Sequence, residues 1–217
     1  MLRWPMSLVI AAKTRDGILI ACDSRALSSD GEILTRQKIL PLSRLCVLGV
    51  AGVEQTIQIT YDVMRAPRNQ EPTFLRPSEW KDPLMCQLRS VYQKVNFMVE
   101  PSKRKQADAI IAGQNTNGPV IYLLSCARGF APAEVDSCAI GIPKIADSLF
   151  HDRFDKSLPM QDVQRLALQA LSDTAAAYSQ VGPPFRLFTM TADGHTEVPQ
   201  TDVAAKLQQE KRNRRTR

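Results

Sequence analysis

Three polar side chains in the first 40 residues have the types needed for hydrolysis by a chain terminus. They are Ser7 in Met6-Ser7-Leu8-Val9-Ile10, Asp23 in Ile20-Ala21-Cys22-Asp23, and Lys38 in Gln37-Lys38-Ile39-Leu40. Initiation at Met6 with removal of that methionine would leave Ser7 with a free α-amine. An α-amine has an ordinary pKa of about 8, so it can accept the hydroxyl proton near neutral pH. Lys38 lies among apolar residues, where an ammonium is costly without a partner, and Asp23 is the natural one. In this scheme Ser7 attacks an acyl carbon, Lys38 favours alkoxide character and Asp23 keeps the lysine charged. Backbone N–H groups at Ala51-Gly52 would form the oxyanion hole. Periodicity alone leaves a plainer reading open: an ordinary early serine, an aspartate capping a polar loop and a lysine snorkelling from an edge strand.

The elements that must position these groups follow from the apolar patterning. Ser7 to Lys13 and Ile18 to Cys22 are strand candidates joined by Asp16-Gly17, a strong hairpin signal. This hairpin returns Asp23 to the start of the first strand. Arg25 to Glu32 reads as a polar connection, and Ile33 to Leu40 and Leu45 to Ala51 as a second hairpin. The period then changes, with a helix expected from Val53 to Met64, a loop from Arg68 to Pro83 and a helix from Leu84 to Met98. Strands are expected at Ala107–Gly113, Val120–Ser125, Ser137–Gly141 and Phe185–Thr191, with helices at Ile145–Phe154 and Met160–Tyr178. Strands, two helices, strands, two helices and strands would bury all their apolar faces as two antiparallel sheets packed together, with helices outside each.

Composition bounds the class. The 217 residues are 44% hydrophobic and 23% charged, which fits one globular domain, with no apolar run long enough to span a membrane. Five scattered cysteines, Cys22, Cys46, Cys86, Cys126 and Cys138, with two histidines and no CxxC pair, read as buried apolar groups in a reducing cytoplasm. No metal and no cofactor are expected. The net charge of +6 is concentrated in Lys211-Arg212-Asn213-Arg214-Arg215-Thr216-Arg217. That tail has no apolar periodicity and reads as a basic, solvated end, so nucleic acid is not an expected partner.

These residues also carry a family resemblance. Ser7-Leu-Val-Ile-Ala, Asp16-Gly17-Ile-Leu-Ile-Ala-Cys-Asp23-Ser24-Arg25-Ala26, Gln37-Lys38-Ile39 and Leu48-Gly49-Val50-Ala51-Gly52 resemble the opening of a proteasome β-type subunit. Asp108-Ala-Ile-Ile-Ala-Gly113, Ala139-Ile-Gly141, Ala177-Tyr178-Ser179 and Asp193-Gly194 extend the likeness to about Val198. The resemblance implies an α+β fold of four-layer αββα sandwich type, as in N-terminal nucleophile hydrolases. It implies a domain over 7–200, with 1–6 a short leader or mis-assigned start and 201–217 a basic, flexible tail. It implies a threonine-protease-type peptidase with Ser7, Asp23 and Lys38 at the catalytic positions, Gly52 and Ala51 at the oxyanion and substrate strand, and Ser179 in support. Its partners would be copies of itself or related subunits in a six- or seven-membered ring, unfolded polypeptide and an ATP-dependent unfoldase.

Two departures favour another reading. The family's Gly-Ser-Gly-Ser appears here as Gly141-Ile142-Pro143-Lys144, and its Asp-Ala-Tyr-Ser-Gly-Gly as Ala176-Ala177-Tyr178-Ser179-Gln180-Val181. The missing serine and aspartate would bind and polarise the terminal amine. The alternative is therefore a non-catalytic structural β-type subunit of a proteasome-like assembly.

Overall fold

The computed structural model describes residues 7–27, 32–52, 75–100 and 106–215. The chain opens with β1 (Leu8–Thr14) and β2 (Gly17–Asp23), the expected hairpin. At their junction Gly17 has φ +146°, and a Cβ there would stand 2.1 Å from the Met190 carbonyl oxygen, so only glycine fits this turn. β3 (Arg25–Leu27) and β4 (Ile33–Thr35) pair as a separate two-stranded ribbon. β5 (Ile39–Ser43) and β6 (Cys46–Gly52) then begin a second sheet. The strand expected over Ile33–Leu40 is thus two strands in two sheets. The chain leaves the ribbon between them, and Lys38 lies in that break with its side chain directed at Asp23.

Helix α1 (Pro77–Asn96) starts inside the segment expected to be loop. Its start is stabilised by proline at the first helical position, which has no N–H to leave unpaired, and by Glu79. The Glu79 carboxylate accepts the Leu75 and Arg76 backbone N–H groups at 2.7 and 2.8 Å. Pro83 is tolerated within the helix, and Leu84, Leu88 and Val91 form its buried stripe as expected. The stripe does not continue to Met98: the helix ends at Asn96, and Phe97 and Met98 project into solvent. The helix expected over Val53–Met64 lies outside the described residues.

The second half adds β7 (Ala107–Asn115), β8 (Gly118–Ser125), β9 (Ala133–Val135), β10 (Ser137–Gly141), α2 (Lys144–Arg153) and α3 (Met160–Ala177). It closes with β11 (Phe185–Thr191), β12 (Gly194–Glu197) and α4 (Gln200–Arg215). Where the basic tail suggested a solvated end, the chain is helical. Val203 is buried and Leu207 packs beside it against the core.

Among the described residues two five-stranded antiparallel sheets result, in the orders β10-β1-β2-β11-β12 and β5-β6-β7-β8-β9. The period of two along each strand sorts the core into layers. Val9, Ala11, Ile18 and Ile20 meet Val47, Ala51, Ile110 and Ala112 between the sheets. Leu8, Ile10, Leu19 and Ala21 face the opposite way, onto α2, α3 and α4. Leu48, Val50, Ala109 and Ile111 pack on α1. Gly49 lets the sheets approach, since a Cβ there would lie 2.9 Å from Val9 Cγ1. This is an α+β sandwich of two antiparallel sheets between helices. No described helix is long and apolar enough to cross a membrane.

Candidate functional site

The β1–β2 hairpin delivers Asp23 to the end of sheet one where Ser7 begins. Asp23 is fully buried and each carboxylate oxygen is used twice. Oδ1 accepts the Leu8 N–H at 2.9 Å and Lys38 Nζ at 2.7 Å. Oδ2 accepts the Arg25 N–H at 3.1 Å and the Gly182 N–H at 3.2 Å. One side chain therefore ties together the starts of β1 and β3, the segment before β5 and the turn before β11. Four charge-assisted bonds are what keep a fully desolvated carboxylate tolerable.

Lys38 is 3% exposed. Its ammonium donates to Asp23 Oδ1 and, at 2.6 Å, to the Arg25 carbonyl. Burial pushes its pKa below the usual lysine range, and the Asp23 carboxylate opposes that shift. Ser7 is also buried, and its carbonyl accepts the Ile142 N–H at 2.9 Å. No described residue hydrogen-bonds its hydroxyl.

Gly141 makes this approach possible. It has φ +94°, and a Cβ there would lie 1.8 Å from the Ser7 carbonyl oxygen and 3.2 Å from Ala51 Cβ. Ser7, the end of β10 and the end of β6 thus converge. Ala51 is buried, and Gly52 beyond it has φ +134°. The structure therefore brings Ser7, Asp23, Lys38 and Ala51-Gly52 into one region. It does not bring the Ser179 side chain in with them: Ser179 is exposed, and its backbone carbonyl accepts Arg25 Nη1 at 3.0 Å.

The serine and aspartate of the family pattern are replaced here by Ile142 and Ala176. Ile142 is 6% exposed and packs into the helix-side core with Ala146 and Phe150. Ala176 is exposed near the end of α3. Sequence reading missed Gly182 and the main chain of Arg25. Both act on Asp23 or Lys38 through backbone atoms, which leave no side-chain signal; the only hint in the sequence is a glycine three residues after Ser179. Among the described residues no group of three or more His, Cys, Asp or Glu could hold a metal.

The model of the proteasome subunit family matches residues 7–182. The chain belongs to the proteasome subunit family. A curated relative, proteasome subunit beta 2 of Caldivirga maquilingensis, is 22% identical over 198 residues, covering 87% of this chain and 92% of the relative. Among solved structures, Anbu from Yersinia bercovieri, described as an ancestral β-subunit, superposes with a TM-score of 0.77 at 17% identity. The helical assembly of the Anbu complex from Pseudomonas aeruginosa gives 0.76, also at 17% identity. Each comparison covers 96% of this chain and 94% of the other.

These likenesses correct the expected activity. Three solved structures that superpose on nearly the whole chain are Anbu subunits, and the groups that would bind and polarise a terminal amine are here a buried isoleucine and an exposed alanine. The expected threonine-protease-type peptidase is corrected on these grounds, and the unfolded polypeptide and ATP-dependent unfoldase that it implied lose their support with it. The expected six- or seven-membered ring is corrected as well, because the matched Pseudomonas aeruginosa complex is a helical assembly.

Proposed function

We propose that this proteasome-family chain is a non-catalytic structural β-type subunit, which builds an assembly from copies of itself or of related subunits. The observation that carries this reading is the one-sided polarity around Ser7: Asp23 and Lys38 lie on one side, while on the other Ile142, at the position of the family's serine, packs into the helix-side core. In this reading Asp23 and Lys38 serve the fold. Their contacts bolt four chain segments together at the end of the sandwich, and Ala51-Gly52 seats the end of β6 against Gly141. Five free cysteines, with burial pushing the Cys22 and Cys138 thiols up to about 12, support a cytoplasmic setting where no disulfide is needed.

Native protein treated with a peptide epoxyketone and measured by intact mass tests the proposal. No adduct is expected, and Ser7→Ala should leave the sedimentation profile unchanged. A Ser7-dependent adduct would overturn it.

A further inference from the structure

Among the described residues the two sheets end in four edge strands, β10 and β12 in the first and β5 and β9 in the second. An open edge invites pairing with another chain, and proteins blunt it with charge, proline, irregularity or short length. β5 contains Pro41 and a register shift between Pro41 and Ser43. β9 is three residues long with Glu134 at its centre. β12 has four residues and ends in Glu197. β10 has none of these guards. Its five residues, Ser137-Cys138-Ala139-Ile140-Gly141, include no charge and no proline.

The pairing with β1 fixes which backbone groups of β10 are open. The Ile142 N–H donates to the Ser7 carbonyl, and the Lys13 N–H to the Asp136 carbonyl. Bonded pairs alternate along an antiparallel ladder, so in this register Cys138 and Ile140 bond to Ala11 and Val9. Ser137, Ala139 and Gly141 then direct their N–H and C=O groups away from β1, where no described strand meets them. Leu8 has the matching phase: opposite Gly141, its N–H points away from β10, to Asp23. Helix α2 stands off from this edge, and a cleft of about 330 Å³ lies between it and Ser137, Cys138 and Ala139. A neighbouring strand sits only about 4.8 Å away, so there is room for one beside β10.

We propose that β10 pairs antiparallel with β10 of a second copy, about a two-fold axis at Ala139, and joins the first sheets of the two copies into one. The inference rests on the structural-subunit reading and gives it a contact. Self-complementarity is what commits this edge to its own copy. An axis at Ala139 sets Ala139 against Ala139 and Ser137 against Gly141, so every open group of one strand meets an open group of the other. The residues that meet carry the smallest side chains, which lets two strands lie side by side next to α2. The same axis brings Lys144, which follows the strand, to the end where Glu134 and Asp136 of the other copy precede it. Those carboxylates also hold Lys13 and Lys156 within each copy. The contact is isologous and closes on itself, so it makes a pair, and any longer assembly is built from such pairs through other surfaces.

Sedimentation velocity across a concentration series, joined to amide hydrogen exchange, tests it. Ala139→Pro removes an N–H that bonds to nothing within one copy, so β10 keeps its ladder to β1 while the pair loses its central bonds. Self-association should weaken at least tenfold with the circular dichroism spectrum unchanged. Ser137→Lys keeps every backbone donor and should also weaken it, by placing a charge on the edge; this variant decides the matter if the proline variant misfolds. In the wild type, exchange of the Ser137 and Ala139 amides should slow as concentration rises. The Cys138 and Ile140 amides, already bonded to β1, should show no such change. Self-association that Ser137→Lys leaves unchanged, or that brings no protection to the 137 and 139 amides, overturns this contact and leaves the structural-subunit reading standing. A wild-type chain that is monomeric at every concentration overturns both.

Discussion

Asp23 and Ile142 stand on either side of Ser7 and have opposite surroundings. On the Asp23 side, a buried carboxylate holds the β1, β3 and pre-β11 backbones and a buried ammonium, with both oxygens saturated. On the Ile142 side, the Ser7 carbonyl meets a backbone N–H whose side chain is wholly apolar and belongs to the helix–sheet core. A hydrolytic terminus needs polar support on both sides, one for the nucleophile's oxygen and one for its amine. Only the side that also holds strands together is polar here. A buried, hydrogen-bonded ion pair is costly to break from one end, so the fold retains it whether or not chemistry is done beside it. The amine-binding side has no such hold on the fold, and an apolar side chain there adds to the core.

The difference is open to attack first at Asp23. Asp23→Ala removes the acceptor for four donors and leaves the Lys38 ammonium buried without its carboxylate. A loss of about 3–5 kcal/mol is expected, typical of breaking a buried pair from one end. Urea unfolding of wild type, Asp23→Ala and Ser7→Ala would measure it. The comparison breaks if Ser7→Ala costs as much, since the serine side chain has no described hydrogen bond to lose.

Ile142→Ser sharpens it from the other side. If Ile142 is a core residue, restoring the hydroxyl of the family pattern should cost about 2–4 kcal/mol in the same unfolding experiment, through lost burial and a cavity beside Ala146 and Phe150. A neutral or stabilising result would mean that the site still accommodates a polar group, and the contrast across Ser7 would fail.

How much of this was legible in the sequence varies with how local the cause is. The β1–β2 hairpin, and with it the meeting of Ser7 and Asp23, was readable because Asp16-Gly17 fixes the turn and the apolar run fixes the strands. Lys38 was readable as a buried cation needing a carboxylate. Its effect on the chain was not: the break between β4 and β5, which brings Lys38 to Asp23, looks like one continuous apolar strand when only periodicity is counted. Gly182 is 159 residues from Asp23 and contributes only an N–H, so no pattern of side chains announces it. Pro83 acted as a false stop: the helix runs through it, and the burial of Leu84, Leu88 and Val91 against the second sheet holds the turns that follow. The residues at 142 and 176 were legible as departures, and the structure gives the first of them a physical use.

The smallest effect is the pH dependence of the polar side. Burial holds the folded Lys38 below its ordinary value of 10.5. Between that lowered value and 10.5 the unfolded chain binds the extra proton, so stability rises with pH through this window, by at most about 1.4 kcal/mol per pH unit. Below the window the cost of burying the ammonium is present in full, offset by Asp23. Lys38→Met removes the titrating group and leaves Asp23 with its three backbone donors. The difference in unfolding free energy between wild type and Lys38→Met should therefore move in favour of wild type as pH climbs towards 10.5, while other alkaline titrations cancel in the subtraction. Ser7→Ala, measured the same way, should show no such drift. Parallel wild-type and Lys38→Met curves would mean that the ammonium is no harder to keep charged in the folded chain than in water, and the polar side of Ser7 would lose the feature that most distinguishes it from the apolar one.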